Sequence, residues 1–171
     1  RVGSSRTIVI GGIVIGVAMG MLSVRQTTFW RNDEALFGHV LEGYPESVTA
    51  RVSLSVWYRE SGRIDEEEKV LKDGLVYSHD TALLLGLGSV ANRKGKQDEA
   101  MTYYKEAEKG DPENPEPYFY QASLAEEKGD EASAESLFAK AADLDPSYVA
   151  ALNNLGSIAL DRGDNAKAAE L

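Results

Sequence analysis

The side chains best suited to acid–base or metal chemistry in this sequence are two histidines, His39 and His79, and a few closely set carboxylates. A zinc site needs several His or Cys side chains at short spacings. Neither histidine has a second His or Cys at such a spacing, and the chain has no cysteine, which also excludes disulfides. Asp143-Leu144-Asp145 has the form of an Asp-x-Asp metal pair, but it falls at the end of an expected helix just before Pro146, where Asp is ordinary. Glu66, Glu67 and Glu68 form a run at an expected helix start, where acids complement the helix dipole. Nothing here assembles a nucleophile, a base and an oxyanion donor, so no catalytic residue, metal or cofactor is expected within the chain. The chemistry left is recognition, which depends on how helices present their faces.

Those helices are set out by a repeat. Two segments of 34 residues, 81–114 and 115–148, are near copies of one another. Each has a large apolar residue near its start (Leu84, Tyr118) and a small one four places on (Gly88, Ala122). Gly95 or Gly129 follows, then Ala100 or Ala134, an aromatic at Tyr104 or Phe138, and Ala107 or Ala141 before Pro112 or Pro146. This period and order resemble the tetratricopeptide repeat. The resemblance implies an all-α solenoid of helix-turn-helix units, with helices over 81–94, 97–110, 115–128 and 131–144. Gly supplies the tight turn inside each unit, a small Ala sits where two helices cross, and Pro ends the second helix.

Residues 47–80 read as a degenerate copy with helices over 48–60 and 65–78. Tyr58, Gly62 and Leu71 are in phase, but Ser55 stands where a glycine is usual, Glu67 where Ala is usual, and His79 in place of the Pro. Residues 149–171 open a fourth copy (Leu152, Leu155, Gly156, Ala159, Gly163, Ala168) and stop inside its second helix. The array is thus about 3.5 repeats, each burying its apolar face on its neighbours. The sequence is expected to be a piece of a longer protein, with more repeats beyond Leu171. The open apolar edge there also allows self-association by stacking on another chain.

A solenoid of this kind implies binding along the face of the first helices. Repeat phase places Val52, Val56 and Arg59 there from the first copy, and Leu85, Ser89, Asn92 and Arg93 from the second. The third contributes Phe119, Tyr120, Ser123 and Glu127, and the fourth Asn153, Asn154, Ser157 and Asp161. The mixture of apolar, amide and charged groups suits an extended or helical peptide. Members of the family that grip a C-terminal carboxylate use Lys and Arg with Asn. Asn153 fits in type, but the lysines are missing, so chaperone-tail binding is not expected. The other reading of each of these residues is plain solvated surface.

Charge divides the chain. Its net charge is −10, yet residues 1–31 hold four Arg (Arg1, Arg6, Arg25, Arg31) and no acid. The remainder therefore holds 14 Lys+Arg against 28 Asp+Glu, a net of −14. An acidic body of this kind excludes nucleic acid as the expected partner, because phosphates call for a basic face. Between Arg6 and Arg25, residues 7–24 (TIVIGGIVIGVAMGMLSV) form 18 uncharged residues, a minimal membrane helix when roughly 17–25 are needed. A cleaved signal peptide would show a small-residue cleavage site and a buried soluble helix would show a polar face; this run shows neither. Gly12, Gly16 and Gly20 line one side of it, as in small-xxx-small packing against another membrane helix, although Gly is also common in membrane helices generally. The flanking arginines balance and do not orient the span.

Residues 25–46 carry a second resemblance. Phe29 and Trp30 suit the headgroup level, and Ala35, Leu36, Val40 and Leu41 give a short helix an apolar face before Gly43 and Pro45. Arg25, Trp30, Asn32, Asp33, Leu36, Phe37 and Pro45, followed by the repeats, resemble the end of the membrane part of multi-pass, repeat-bearing glycosyltransferases similar to protein O-mannosyltransferases. That resemblance implies an extracytoplasmic repeat tail that recruits acceptor proteins to catalytic loops upstream of residue 1. The alternatives are a single-pass membrane-anchored adaptor without enzymatic activity and an assembly subunit. The expected order is a flank (1–6), a membrane helix (7–24), a junction (25–46), the degenerate repeat (47–80), two strong repeats (81–114 and 115–148) and an incomplete one (149–171).

Overall fold

The structure is a computed structural model that describes residues 33–165. These form eight helices, with no strand among the described residues. They are α1 (Asp33–Gly43), α2 (Val48–Glu60), α3 (Ile64–Leu75), α4 (Thr81–Arg93), α5 (Gln97–Gly110), α6 (Pro115–Glu127), α7 (Glu131–Leu144) and α8 (Val149–Asp161). The predicted membrane helix over 7–24, with Gly12, Gly16 and Gly20, lies outside the described residues, as does the end of the fourth repeat with Ala168. Among the described residues no helix is long and apolar enough to cross a membrane.

α2/α3, α4/α5 and α6/α7 are helical hairpins, and α8 opens a fourth. Each hairpin turns on a glycine with positive φ, at Gly62, Gly95, Gly129 and Gly163, a conformation that costs a residue with a Cβ far more. The turns close alike: the N–H of Arg63, Lys96, Asp130 and Asp164 reaches the carbonyl five residues back at 2.8, 2.9, 2.9 and 2.8 Å. That bond satisfies a carbonyl the helix end would otherwise leave open. Ser47, Asp80, Asn114 and Asp130 cap the following helices by accepting backbone N–H bonds.

Each second helix of a hairpin packs on the first helix of the next, and successive first helices touch across it (α2 on α4, α4 on α6). Buried Leu54, Leu71, Leu83, Leu87 and Val90 form the core where repeats one and two meet. Leu84, Ala100, Tyr104, Ala107 and Leu124 form that of two and three, and Ala122, Ala134, Phe138, Ala141, Ala151 and Leu155 that of three and four. The small residues singled out by the repeat, Ala100 and Ala134, are fully buried.

Helix α3 stops at Leu75, three residues before the end expected from the repeat. The N–H groups of Tyr77 and Ser78 both bond to the Gly74 carbonyl, which tightens and ends the last turn. Beyond it Val76 is 81% exposed, so no apolar contact rewards a longer helix.

Neighbouring helices are also clipped by charge. In each hairpin turn a cation reaches back to acids of the preceding second helix: Lys94 to Asp65 (2.7 Å) and Glu68 (2.5 Å), Lys128 to Asp98 (3.1 Å), and Arg162 to Glu131 and Glu135. Arg63 does the same to Glu34 of α1, at 3.0 Å from both carboxylate oxygens. Phe37 and Leu41 of α1 pack on the first core. Helix α1 therefore stands where the second helix of a preceding repeat would stand.

The Glu68 clip has a pH signature. Hydrogen bonds from Lys72 and then Lys94 hold the Glu68 carboxyl down at about 2 against an ordinary 4.5. A depressed carboxyl contributes stability above its unfolded value and loses it as pH falls towards its folded value. Glu68→Gln is expected to cost up to about 1 kcal/mol at neutral pH, because Lys72 is half exposed and screened. It should also flatten the loss of stability of the native protein between about pH 4.5 and about pH 2. Urea unfolding at a series of pH values reads both; parallel curves for the two proteins would contradict the assignment.

Candidate functional site

Helices α2, α4 and α6 lie side by side, and their common face encloses a pocket of about 280 Å³. Val52, Ser55, Val56 and Arg59 of α2 form one wall; Ala82, Leu85, Gly86 and Ser89 of α4 form the floor; Glu116 and Tyr120 of α6 form the other wall. Glu67 of α3 reaches in from behind. Six of the residues assigned to the binding face by repeat phase thus meet in one place: Val52, Val56, Arg59, Leu85, Ser89 and Tyr120.

The other assigned residues are placed differently. Asn92 donates to both carboxylate oxygens of Glu127 at 3.1 Å, with Gln97 a third partner at 3.4 Å, so these groups bridge α4 and α6 near their C-terminal ends. Arg93 gives Nη1–H bonds to Glu67 at 3.0 and 2.7 Å. Ser123 bonds the Phe119 carbonyl of its own helix. Phe119 sits at the centre of an aromatic group, with ring centroids 5.6 Å from Tyr120, 5.6 Å from Phe138 and 5.4 Å from Tyr148. Asn153, Asn154, Ser157 and Asp161 lie together along α8 and do not line the pocket.

Five lining residues were not anticipated: Ser55, Glu67, Ala82, Gly86 and Glu116. Ala82 and Glu116 occupy the same repeat position, one helical turn before Gly86 and Tyr120, so extending the assigned face by one turn finds them. Glu67 was visible as the charged residue in a slot meant for Ala. It is 2% exposed, and Arg93 answers it from the next repeat.

The pocket's apolar and charged parts are segregated. Leu85 is buried and Val52, Val56 and Tyr120 are half-buried, whereas Arg59 and Glu116 are exposed at opposite walls. Burial pushes the Tyr120 phenol up; the Glu116 charge adds to this and the Arg59 charge opposes it. Tyr120 stacks on Tyr104 with centroids 5.3 Å apart, and burial raises the Tyr104 phenol as well. Both phenols are therefore neutral near pH 7 and present hydroxyls, not phenolates. His39 pairs with Glu42 at 3.1 Å and His79 approaches Glu106 at 3.8 Å. Asp145 caps a turn by accepting from Ser147. Among the described residues no cluster of His, Cys, Asp or Glu could hold a metal ion.

A family model for the tetratricopeptide repeat matches residues 68–115 and 119–171. A search of curated proteins gave no match. Among solved structures, the chain is similar to that of MamA, at 18% identity over 85% of both chains with a TM-score of 0.64. It is also similar to the Yersinia enterocolitica type III secretion chaperone SycD in complex with a peptide of the translocator YopD. There the identity is 26%, over 66% of this chain and 92% of that one, with a TM-score of 0.58. A chain of the APC/C hetero-tetramer Cut9–Hcn1 matches 77% of this chain, at 17% identity and a TM-score of 0.69, through 26% of its own length.

Proposed function

The chain belongs to the tetratricopeptide repeat family, and from that premise we propose that it is a protein-interaction module holding a peptide segment of its partner across α2, α4 and α6. The observation that carries this reading is the pocket on those three helices, with Leu85 and Tyr120 in its lining, Arg59 and Glu116 at its walls and Glu67 behind it paired with Arg93. At about 280 Å³ it falls below the about 300–1,000 Å³ of small-molecule sites but accommodates an anchoring side chain. The SycD structure, in which a related repeat protein is seen with a translocator peptide, supports the same mode of use.

Ala82 lines the pocket floor, is exposed and belongs to no core cluster. Peptides selected on the full chain from a random library are expected to lose at least about tenfold in affinity when Ala82→Trp fills the pocket, a loss of about 1.4 kcal/mol. The thermal midpoint should stay unchanged. Selected peptides that bind the Ala82→Trp protein as tightly as the native one would overturn the reading.

The finer part of the proposal concerns attachment. The uncharged run over 7–24 and the junction residues Trp30, Asn32, Leu36 and Phe37 support a membrane-tethered module, the extracytoplasmic tail of a membrane glycosyltransferase that brings acceptor proteins to its catalytic part. Gly12, Gly16 and Gly20 favour a second reading, a single-pass anchored adaptor that assembles with other membrane helices. Protease protection in sealed membranes tests the side on which the repeats lie. The gene upstream of residue 1 separates the two readings, because only the first requires further spans with an acidic loop.

A further inference from the structure

The two charges at the walls of the pocket are unlike the other charges around it. Glu67 is neutralised by Arg93, and the clips of the hairpin turns are paired. Arg59 and Glu116 are exposed, line the pocket from α2 and α6 respectively, and have no ion-pair partner among the described residues. They stand on either side of the α4 floor with its apolar Leu85, and both fields reach Tyr120 on the α6 wall. Along the row of first helices the pocket is therefore positive at repeat one and negative at repeat three. A uniformly basic segment, which the net charge of −14 over residues 32–171 would draw in from a distance, meets a like charge at Arg59. A uniformly acidic one meets Glu116. Like charges set against each other are how an interface rejects the wrong partner.

We propose that the pocket selects an extended protein segment in which an apolar side chain is flanked by an acidic residue on one side and a basic residue on the other, the acid facing Arg59 and the base facing Glu116. This rests on the peptide-binding reading of the pocket and adds which peptides it takes. Each exposed charge pair contributes at most about 1 kcal/mol, so each is worth up to about fivefold in affinity, enough to order a set of otherwise equal peptides.

The test compares three synthetic peptides that share a central leucine and differ only in their flanking charges: acid and base, two acids, or two bases. Binding to the full chain is read by fluorescence anisotropy. The native protein is expected to prefer the mixed peptide by about threefold to fivefold. Arg59→Glu should move the preference to the two-base peptide, and Glu116→Lys to the two-acid peptide. Ala82→Trp should weaken all three. If the order is the same in the native protein and both charge variants while Ala82→Trp still weakens binding, the charge rule is overturned and the pocket reading stands. If Ala82→Trp changes nothing, the pocket reading fails and the charge rule fails with it. No measurable binding of the mixed peptide, in a protein that binds library-selected peptides, also overturns the rule.

Discussion

Arg93→Ala is expected to lower the unfolding free energy by about 1–3 kcal/mol, the cost of leaving a buried polar group without its partner, and less than for a fully buried ion pair because the Arg93 side chain is 34% exposed. Glu67 is 2% exposed and both its oxygens are held by Arg93 Nη1 at 3.0 and 2.7 Å. With the guanidinium gone, a carboxylate is left in a protein interior with no cation, and its desolvation is uncompensated. The opposite deletion is milder. Glu67→Ala restores the residue that the repeat uses at this position, where Ala100 and Ala134 are fully buried, and leaves Arg93, whose side chain is 34% exposed, free to turn into water. The double variant should therefore regain most of what Arg93→Ala loses. Urea denaturation followed by far-UV circular dichroism measures all three. A loss below about 1 kcal/mol for Arg93→Ala, or a double variant no better than the single, would show that the pair does not hold the first two repeats together.

Gly88→Ala is the second large effect, with an expected loss of about 3 kcal/mol. On helix propensity alone the change should help by about 1 kcal/mol. A Cβ at Gly88, however, would lie 2.2 Å from Tyr104 Cε1 and 2.6 Å from Cδ1. Tyr104 is 3% exposed, so its ring cannot swing clear; it must move bodily or force α4 and α5 apart. Tyr120 is stacked on that ring, with centroids 5.3 Å apart, and would be pushed with it. The substitution should thus disturb the pocket as well as the core, and surviving folded protein should bind selected peptides more weakly. Adding Tyr104→Leu, which removes the crowding ring atoms, should recover part of the stability. Among the described residues, Gly156, at the same repeat position in α8, meets nothing within 4 Å. Failure of Tyr104→Leu to recover any stability in the Gly88→Ala background would refute the steric account.

The hairpins could be read from the sequence because their determinants are local and recur in phase: Gly95 and Gly129 at the turns, Ala100 and Ala134 at the crossings. Degeneracy blurred the first repeat in one respect, the end of α3, because the loss of Pro at position 79 removed the stop signal and the true stop lies in how Val76 and Tyr77 fail to find a core. The pocket was legible where one helix face carries it, as for Val52, Val56 and Arg59 on α2. It was less legible where the outcome depends on a neighbouring helix. Phe119 and Tyr120 are adjacent in sequence and point about 100° apart around α6, so only Tyr120 lines the pocket while Phe119 enters the cluster with Phe138 and Tyr148. Arg93 was assigned to the binding face by type and phase. Its commitment to Glu67 depends on a carboxylate in a different repeat, which no spacing rule ties to it.

The clips in the hairpin turns make the array mechanically uneven. Every joint has an exposed charge pair, and such pairs soften as salt screens them over about 8–10 Å. At the joint between repeats one and two the clip is backed by the sheltered Glu67–Arg93 pair, which salt reaches poorly. At the next two joints Lys128–Asp98 and the Arg162 contacts lie in solvent. Rising ionic strength should therefore leave the solenoid stiffest between repeats one and two and more compliant on either side of that joint. Helix α1, clipped to repeat one by the exposed Arg63–Glu34 pair, would share that compliance, and whatever the outer repeats touch would meet a surface that can flex to fit.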